Sequence, residues 1–427
     1  MRFHRACLLV FAAAFSAAPA FASSTVYEFK GGSDGATPIA GLVCSTNAAC
    51  SASATLYGTT THGGGSAVCY NNEGCGTVYS LSPTGVESVL YSFQGGSDGA
   101  NPGGLYVDTG GNLWGTTGSG GGSGCGGSGC GTVFKLSPPA SEGAPWTESF
   151  LYSFGTVTQD GTNPSGNLIE VTVKANGVKS DELIGTTQTG GGSGCNGFGC
   201  GTVFLVPLSA TPGTLDTVYY SFQGYANGDG ANPVGGLVTI GNKVYGMTAE
   251  GGTSSACVNC GTVFWVSLVQ AKVAEGVIHS FLGSSANDGS SPSRGLVETG
   301  GALYGTTYNG GGAGCGTAFG MTTIGTESFV YGFEGGTDGC FPDGALVNMG
   351  ATLYGTTQHA GANGGGTVFS LSTADVEAPI SPDPLAKKTE PYAGLVAVHG
   401  VLYGTTYEGG QKGCNGHGCG TVFKVKP

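Results

Sequence analysis

Charge is scarce in this chain. Asp, Glu, Lys and Arg make up only 10% of the 427 residues, and Lys and Arg together number 14 with no basic cluster. A nucleic-acid-binding surface needs such a patch, so that class of partner is excluded. Long apolar runs are missing too. Beyond a short run at residues 8–15, no segment approaches the roughly 18 apolar residues of a membrane span. Collagen order is absent, because the 86 glycines do not recur at every third position and proline numbers only 18. A disordered glycine linker is excluded by 18 Tyr, 20 Phe and 39% hydrophobic residues. Glycine therefore punctuates a packed, turn-rich fold.

The N-terminus sets an expectation about compartment. Arg2 and Arg5 precede the apolar run, and Ala20-Phe21-Ala22 has the small-x-small form of a cleavage site. Residues 1–22 read as a signal peptide, with 23–427 as one mature domain. Cys7 lies within the apolar run rather than at the cleavage point, so no lipid anchor is expected. No anchor is read at the C-terminus either. The expected location is secreted, periplasmic or cell-surface. The formal net charge of −13 favours neutral or cationic partners.

Four short segments recur in fixed order. Leu56-Tyr57-Gly58-Thr59-Thr60 returns from Leu113, Leu183, Val244, Leu303, Leu353 and Leu402. Gly-Thr-Val-Phe or a close variant begins at Gly76, Gly131, Gly201, Gly261, Gly316, Gly366 and Gly420. A Gly-Leu-Val-like segment surrounds Leu42, Leu105, Leu168, Leu237, Leu296, Leu346 and Leu395. A Tyr-Ser-Phe-like segment ends at Phe29, Phe93, Phe154, Phe222, Phe281 and Phe333. Each is rich in β-branched and aromatic residues and bounded by turn formers, which is the signature of a strand. With no helical period, seven units of four strands predict an all-β, seven-bladed β-propeller with four antiparallel strands per blade. A solenoid would need polar capping repeats, and none is found. Taking the strands as A (Gly-Leu-Val), B (Leu-Tyr-Gly-Thr-Thr), C (Gly-Thr-Val-Phe) and D (Tyr-Ser-Phe), the chain starts with a lone D strand, Val26–Phe29, and ends at a C strand. The N-terminal strand is therefore expected to complete the last blade and close the ring. In the sixth unit the D segment is replaced by a proline-rich stretch, so a short or absent outer strand is expected there.

These motifs, with the intervening Asp-Gly-x-x-Pro stretch, resemble the GloVer-type tandem repeat of secreted bacterial proteins, whose members often carry a sorting or anchoring tail. The C–D hairpin is also similar to that of NHL-repeat and gluconolactonase-like propellers. The resemblance covers nearly the whole mature chain. It implies export and transfers no catalytic residue.

Fifteen cysteines less Cys7 leave fourteen, an even number for an exported protein. Spacing suggests the pairs Cys44–Cys50, Cys69–Cys75, Cys125–Cys130, Cys195–Cys200, Cys257–Cys260 and Cys414–Cys419, with Cys315–Cys340 left to join two loops of blade 5. Metal binding at Cys257-x-x-Cys260 is the rival reading. The Asp-Gly-x-x-Pro loop recurs at Asp34, Asp98, Asp160, Asp229, Asp288 and Asp338. It reads as a turn, with an acidic ring binding calcium round the channel as the alternative. No metal site and no other cofactor is expected.

A site breaks the symmetry of a repeat. The two positions after Thr-Thr in strand B vary most: Thr61 and His62, Gly118 and Ser119, Gln188 and Thr189, Ala249 and Glu250, Tyr308 and Asn309, Gln358 and His359, Tyr407 and Glu408. Closure makes blades 6, 7 and 1 neighbours, so His62, His359, Tyr407, Glu408, Lys412 and His417 form the candidate ligand-binding cluster. His279 reads as a strand residue and His399 as part of a hairpin on the opposite face. The expected function is extracellular binding of a glycan or protein, by a monomer. The alternatives are a polysaccharide lyase or hydrolase using this cluster for acid–base chemistry, and a purely structural envelope protein.

Overall fold

Glycine, threonine and β-branched residues at period 2 build seven four-stranded units in the computed structural model. It describes residues 22–427 except 46–49, 67, 70–72, 142, 158, 176, 212–216, 271–273, 373–382, 385–388 and 411–412. Residues 1–21 of the expected signal peptide 1–22, with Cys7 among them, and Lys412 thus lie outside the described residues. Blade 1 runs Val43–Cys44, Leu56–Thr60, Thr77–Leu81 and Glu87–Ser92, each strand antiparallel to the next. Blades 2 to 6 repeat this A–B–C–D order. Blade 7 contributes Val396–Val398, Val401–Thr406 and Thr421–Lys426, and its outer strand is the N-terminal Ala22–Glu28, antiparallel to the C-terminal strand. Apart from three-residue 3₁₀ turns, the described residues contain no helix.

Two blades depart from the average. In blade 3 the A and B strands lengthen to Gly161–Ala175 and Val178–Gly190, and Lys174 and Ala175 pair with Val269 and Gln270 of blade 4. In blade 6 the outer strand shrinks to Asp383–Pro384, as its prolines require.

The core is divided among the seven seams between blades. Phe93 of blade 1 meets Phe134 of blade 2 edge-to-face at 5.1 Å, and Phe154–Phe204, Phe222–Phe264, Phe281–Phe319 and Phe333–Phe369 repeat this geometry. Phe29 against Tyr79 does the same where the N-terminal strand meets blade 1. Such pairs add about 0.5–1.5 kcal/mol beyond area burial. The seam between blades 6 and 7 has no such pair, because the chain carries no phenylalanine between Phe369 and Phe423.

The glycine that opens strand C has φ of 88–100° in all seven blades, a range closed to other residues without strain. A Cβ on Gly76 would lie 2.6 Å from Pro102 of the next blade, and Gly420 meets Pro38 in the same way. Within each blade the second Thr of strand B and the Thr of strand C are paired, as in Thr60–Thr77 at 2.8 Å. Both hydroxyls are buried, and leaving one unpaired would cost about 1–3 kcal/mol.

The recurrent Asp belongs to the outer edge. Tyr27, Tyr91, Tyr152, Tyr220 and Tyr331 of the D strands donate to Asp34, Asp98, Asp160, Asp229 and Asp338. The same carboxylates accept loop amides such as Lys30 N–H and Gln94 N–H. These carboxylates thus act in turns that cap the D strands. A Glu from the next blade presses on several of these pairs. Burial first, then the nearby Asp, pushes Glu87, Glu148 and Glu275 up to about 7.

A carboxyl raised on folding binds its proton more tightly in the native state, so its contribution is full below about pH 4.5 and is lost as pH rises through 7. Replacing Glu87, Glu148 and Glu275 together by Gln is therefore expected to flatten the fall of Tm between pH 5 and 8 relative to the parent. Parallel Tm curves in scanning calorimetry would contradict this.

Candidate functional site

Two backbone positions in each blade come together on one face of the ring. The first pair is the residues after Thr-Thr in strand B. The second is the residue before Pro at the start of strand A, which has positive φ in every blade. Blades 2, 3 and 4 place Asn101, Asn163 and Asn232 there, and Asn tolerates that conformation. Blades 1, 5, 6 and 7 place Thr37, Ser291, Phe341 and Glu390. Side chains that fit this conformation poorly, at a cost of about 1–3 kcal/mol each, thus fall on the sector that also holds the variable Tyr308, His359, Tyr407 and His62.

Across blades 5 to 7 these side chains form one patch. Tyr308 and Phe341 stack with ring centroids 4.8 Å apart and planes 15° from parallel, and His359 meets Phe341 edge-on at 5.8 Å. Tyr392 packs on Tyr407 at 5.1 Å. Polar groups thread between the rings. Gln358 accepts from the Tyr308 hydroxyl at 3.2 Å and donates to Asp343 at 2.9 Å, and Arg294 donates to Asp343 at 3.2–3.3 Å. Glu390 lies 3.8 Å from His359 Nδ1. Burial, with Asp343 and Glu390 nearby, pushes the Tyr308 phenol up, and burial with Glu390 pushes Tyr392 up to about 12. Both remain neutral donors at physiological pH.

Beside this patch, the seam between blades 7 and 1 opens a cavity of about 510 Å³ lined by His62, Glu73, Tyr407, Glu408, His417 and Lys30, among others. His417 Nδ1 is 3.5 Å from Glu408, and His62 Nδ1 is 2.6 Å from the Thr37 hydroxyl. The Cys414–Cys419 disulfide holds the loop carrying His417, with Cα atoms 5.2 Å apart. It is one of seven disulfides, six joining the cysteines that sequence spacing paired and the seventh the leftover Cys315–Cys340, with Cα separations of 4.5–5.9 Å. Cys257 and Cys260 are bonded to each other and do not offer a metal a pair of thiolates.

Four of the six candidate residues, His62, Tyr407, Glu408 and His417, surround the cavity. His359 belongs to the adjoining aromatic patch, and Tyr407 borders both. Phe341, Glu390 and Tyr392 are absent from the sequence-derived cluster. In blade 6 Phe341 stands where the Asp-Gly-x-x-Pro loops of blades 2 to 4 hold Asn, whereas no Asp-Gly precedes Glu390-Pro391 and no repeat position marks Tyr392. Among the described residues, the group with metal-ligand spacing is His279, Asp288 and Glu327, on the outer seam between blades 4 and 5. His279 does lie in a strand, and His399 in the turn between Val398 and Val401.

Burial holds the His62 imidazole below its usual value, and the charge of Glu73 partly offsets that. His62 is therefore expected to titrate below about 6.5, with Glu73→Gln lowering the midpoint further. An NMR titration giving a midpoint at or above 6.5, or a rise in the variant, would refute this assignment.

No curated protein matches the chain. Among solved structures it is similar to a gluconolactonase from Xanthomonas campestris, with 12% identity and TM-score 0.40 over 95% of this chain and 89% of that one. A PQQ-bound aldose sugar dehydrogenase from Streptomyces coelicolor aligns at 10% identity and TM-score 0.45, over 96% and 99%. An α-L-arabinofuranosidase from Fusarium graminearum aligns at 10% and 0.45, over 85% and 100%. Likeness at this level transfers no chemistry. The Gloeobacter/Verrucomicrobia repeat matches residues 12–257, 71–318 and 255–427. With nearly the whole chain covered, the protein belongs to the Gloeobacter/Verrucomicrobia repeat family.

Proposed function

We propose that this is an exported propeller that binds a saccharide across the patch of blades 5 to 7 and the adjoining cavity. The carrying observation is the localised break in symmetry: aromatic rings converge on one sector with carboxylates and an amide between them, while the same positions in blades 2 to 4 hold Asn, Gly, Ser, Gln, Thr, Ala and Glu and no aromatic ring. A sugar ring offers an apolar face to tyrosine and hydroxyls that can donate to Glu390, while buried Gln358 holds Tyr308 and Asp343 in place. Apolar walls with a few placed polar groups are the usual form of a ligand site. Export is supported by the seven disulfides, which persist in oxidising compartments. No described helix is long and apolar enough to cross a membrane.

A glycan array with the mature protein tests this. Tyr308→Ala and Tyr407→Ala are each expected to weaken retention about tenfold, or ~1.4 kcal/mol, with Gln188→Ala on the opposite sector neutral. Absence of any retained saccharide, or equal binding by all three variants, would sink the proposal. The second reading, a lyase or hydrolase, rests on the His417–Glu408 pair. It requires cleavage of the retained glycan, lost in Glu408→Gln. Export further predicts Ser23 as the first residue of the protein recovered outside the cytoplasm, read by N-terminal sequencing, and a Met1 terminus would contradict it.

A further inference from the structure

Five of the six D strands that precede an Asp-Gly loop carry Tyr opposite the Asp, and blade 4 carries His279 instead. The imidazole occupies the phenol's place. It stands edge-on to Phe281 at 4.7 Å and 80°, as Tyr91 does to Phe93 at 5.1 Å and 81°. A phenol at this position donates one hydrogen bond to the Asp. An imidazole adds a nitrogen that can bind a metal.

We propose that His279, Asp288 and Glu327 form a divalent-cation site of the zinc class on the outer seam between blades 4 and 5. His279 Nε2 lies 3.2 Å from Asp288 Oδ2 and 3.6 Å from Glu327 Oε1. One donor atom from each residue falls within 4.8 Å of the other two. Zinc binds imidazole nitrogen and carboxylate oxygen at about 2.0–2.2 Å, so tetrahedral donors stand roughly 3.4 Å apart. The two measured separations straddle that value, and the Asp288 and Glu327 donors lie within 4.8 Å of each other.

Glu327 Oε1 accepts no hydrogen bond, like the equivalent oxygens of Glu87, Glu148 and Glu275 at seams that carry Tyr, so what sets this seam apart is the imidazole 3.6 Å from that oxygen. Asp288 is almost wholly buried and is held by the amides of Leu282 at 2.7 Å and Gly289 at 2.6 Å, so its carboxylate is presented rigidly.

The donor set selects the ion. One nitrogen and two carboxylates suit zinc or a similar first-row ion. Calcium takes six to eight oxygens and magnesium a near-octahedral oxygen shell, neither of which three side chains supply. Water would take the fourth position. The ion would bridge strand D of blade 4, the loop after it and strand D of blade 5, fastening the seam from outside. The site is separate from the saccharide patch and does not depend on it.

The test titrates metal-free, tag-free protein with zinc sulfate against a chromogenic chelator. The parent is expected to bind one equivalent with micromolar or tighter Kd and to gain Tm on zinc addition. His279→Tyr restores the residue of the other repeats and so keeps the fold. It is expected to lose that equivalent and the Tm gain, and Glu327→Gln to weaken binding at least tenfold. No saturable binding by the parent below about 0.1 mM zinc, or undiminished binding and Tm gain in His279→Tyr, would overturn the proposal. The latter outcome would assign any bound zinc to another part of the surface.

Discussion

The ring depends on one contact repeated seven times, a glycine of strand C against a proline of the following blade. The glycine needs positive φ and no side chain, because the proline ring occupies the space a Cβ would take. Beside it the residue before the proline donates its amide to the carbonyl of the residue before the glycine, as Asn101 does to Cys75 and Thr37 to Cys419. That hydrogen bond positions strand A of one blade on strand C of its neighbour. The seventh instance, Gly420 with Pro38, joins the two ends of the chain. Together with the N-terminal strand, which pairs with Thr421–Lys426 as the fourth strand of blade 7, it closes the ring.

This arrangement also explains where variation is tolerated. The glycine and the threonine pair are buried and recur in all seven blades, and the seam aromatic pair recurs at six seams. The positions immediately after the threonine pair and before the proline lie at the ends of the strands. Their backbone is held by the seam, whatever the side chain is. Phe341 and Glu390 can occupy a conformation better suited to Asn because the flanking contacts over-determine it. The scaffold thus carries a strained, chemically varied rim without altering the blades. The rim is most varied next to the seam of blades 6 and 7, where the phenylalanine lock is missing and the outer strand of blade 6 is shortest.

Particular residues show how far the sequence could be read. The strand order and closure by an N-terminal strand read at Val26–Phe29 were legible from segments that recur in every blade, six disulfides from short local spacing, and Cys315–Cys340 as the pair left over. His62, Tyr407, Glu408 and His417 were also legible as neighbours, since blade order alone brings them together. Phe341 and Tyr392 were not. Their importance lies in facing Tyr308 and Tyr407 across a seam, and Phe341 and Tyr308 are 33 positions apart without any shared motif. His279 looked like an ordinary strand residue until Asp288 and Glu327, from a loop and another blade, were found beside it. The long hairpin of blade 3 was hidden because its alternation continues the ordinary strand pattern.

The sequence by itself determined the number of blades, the strand order within them, the point of closure and the cross-links. All of these are set by local chemistry: where φ must be positive, where a hydroxyl must be paired and where a loop can be stapled. Only the tertiary structure decided which variable side chains share a surface. That choice depends on how seven nearly equal wedges rotate about an axis and on which strand ends meet across each seam. Those distances are fixed by packing between blades, which no single repeat encodes.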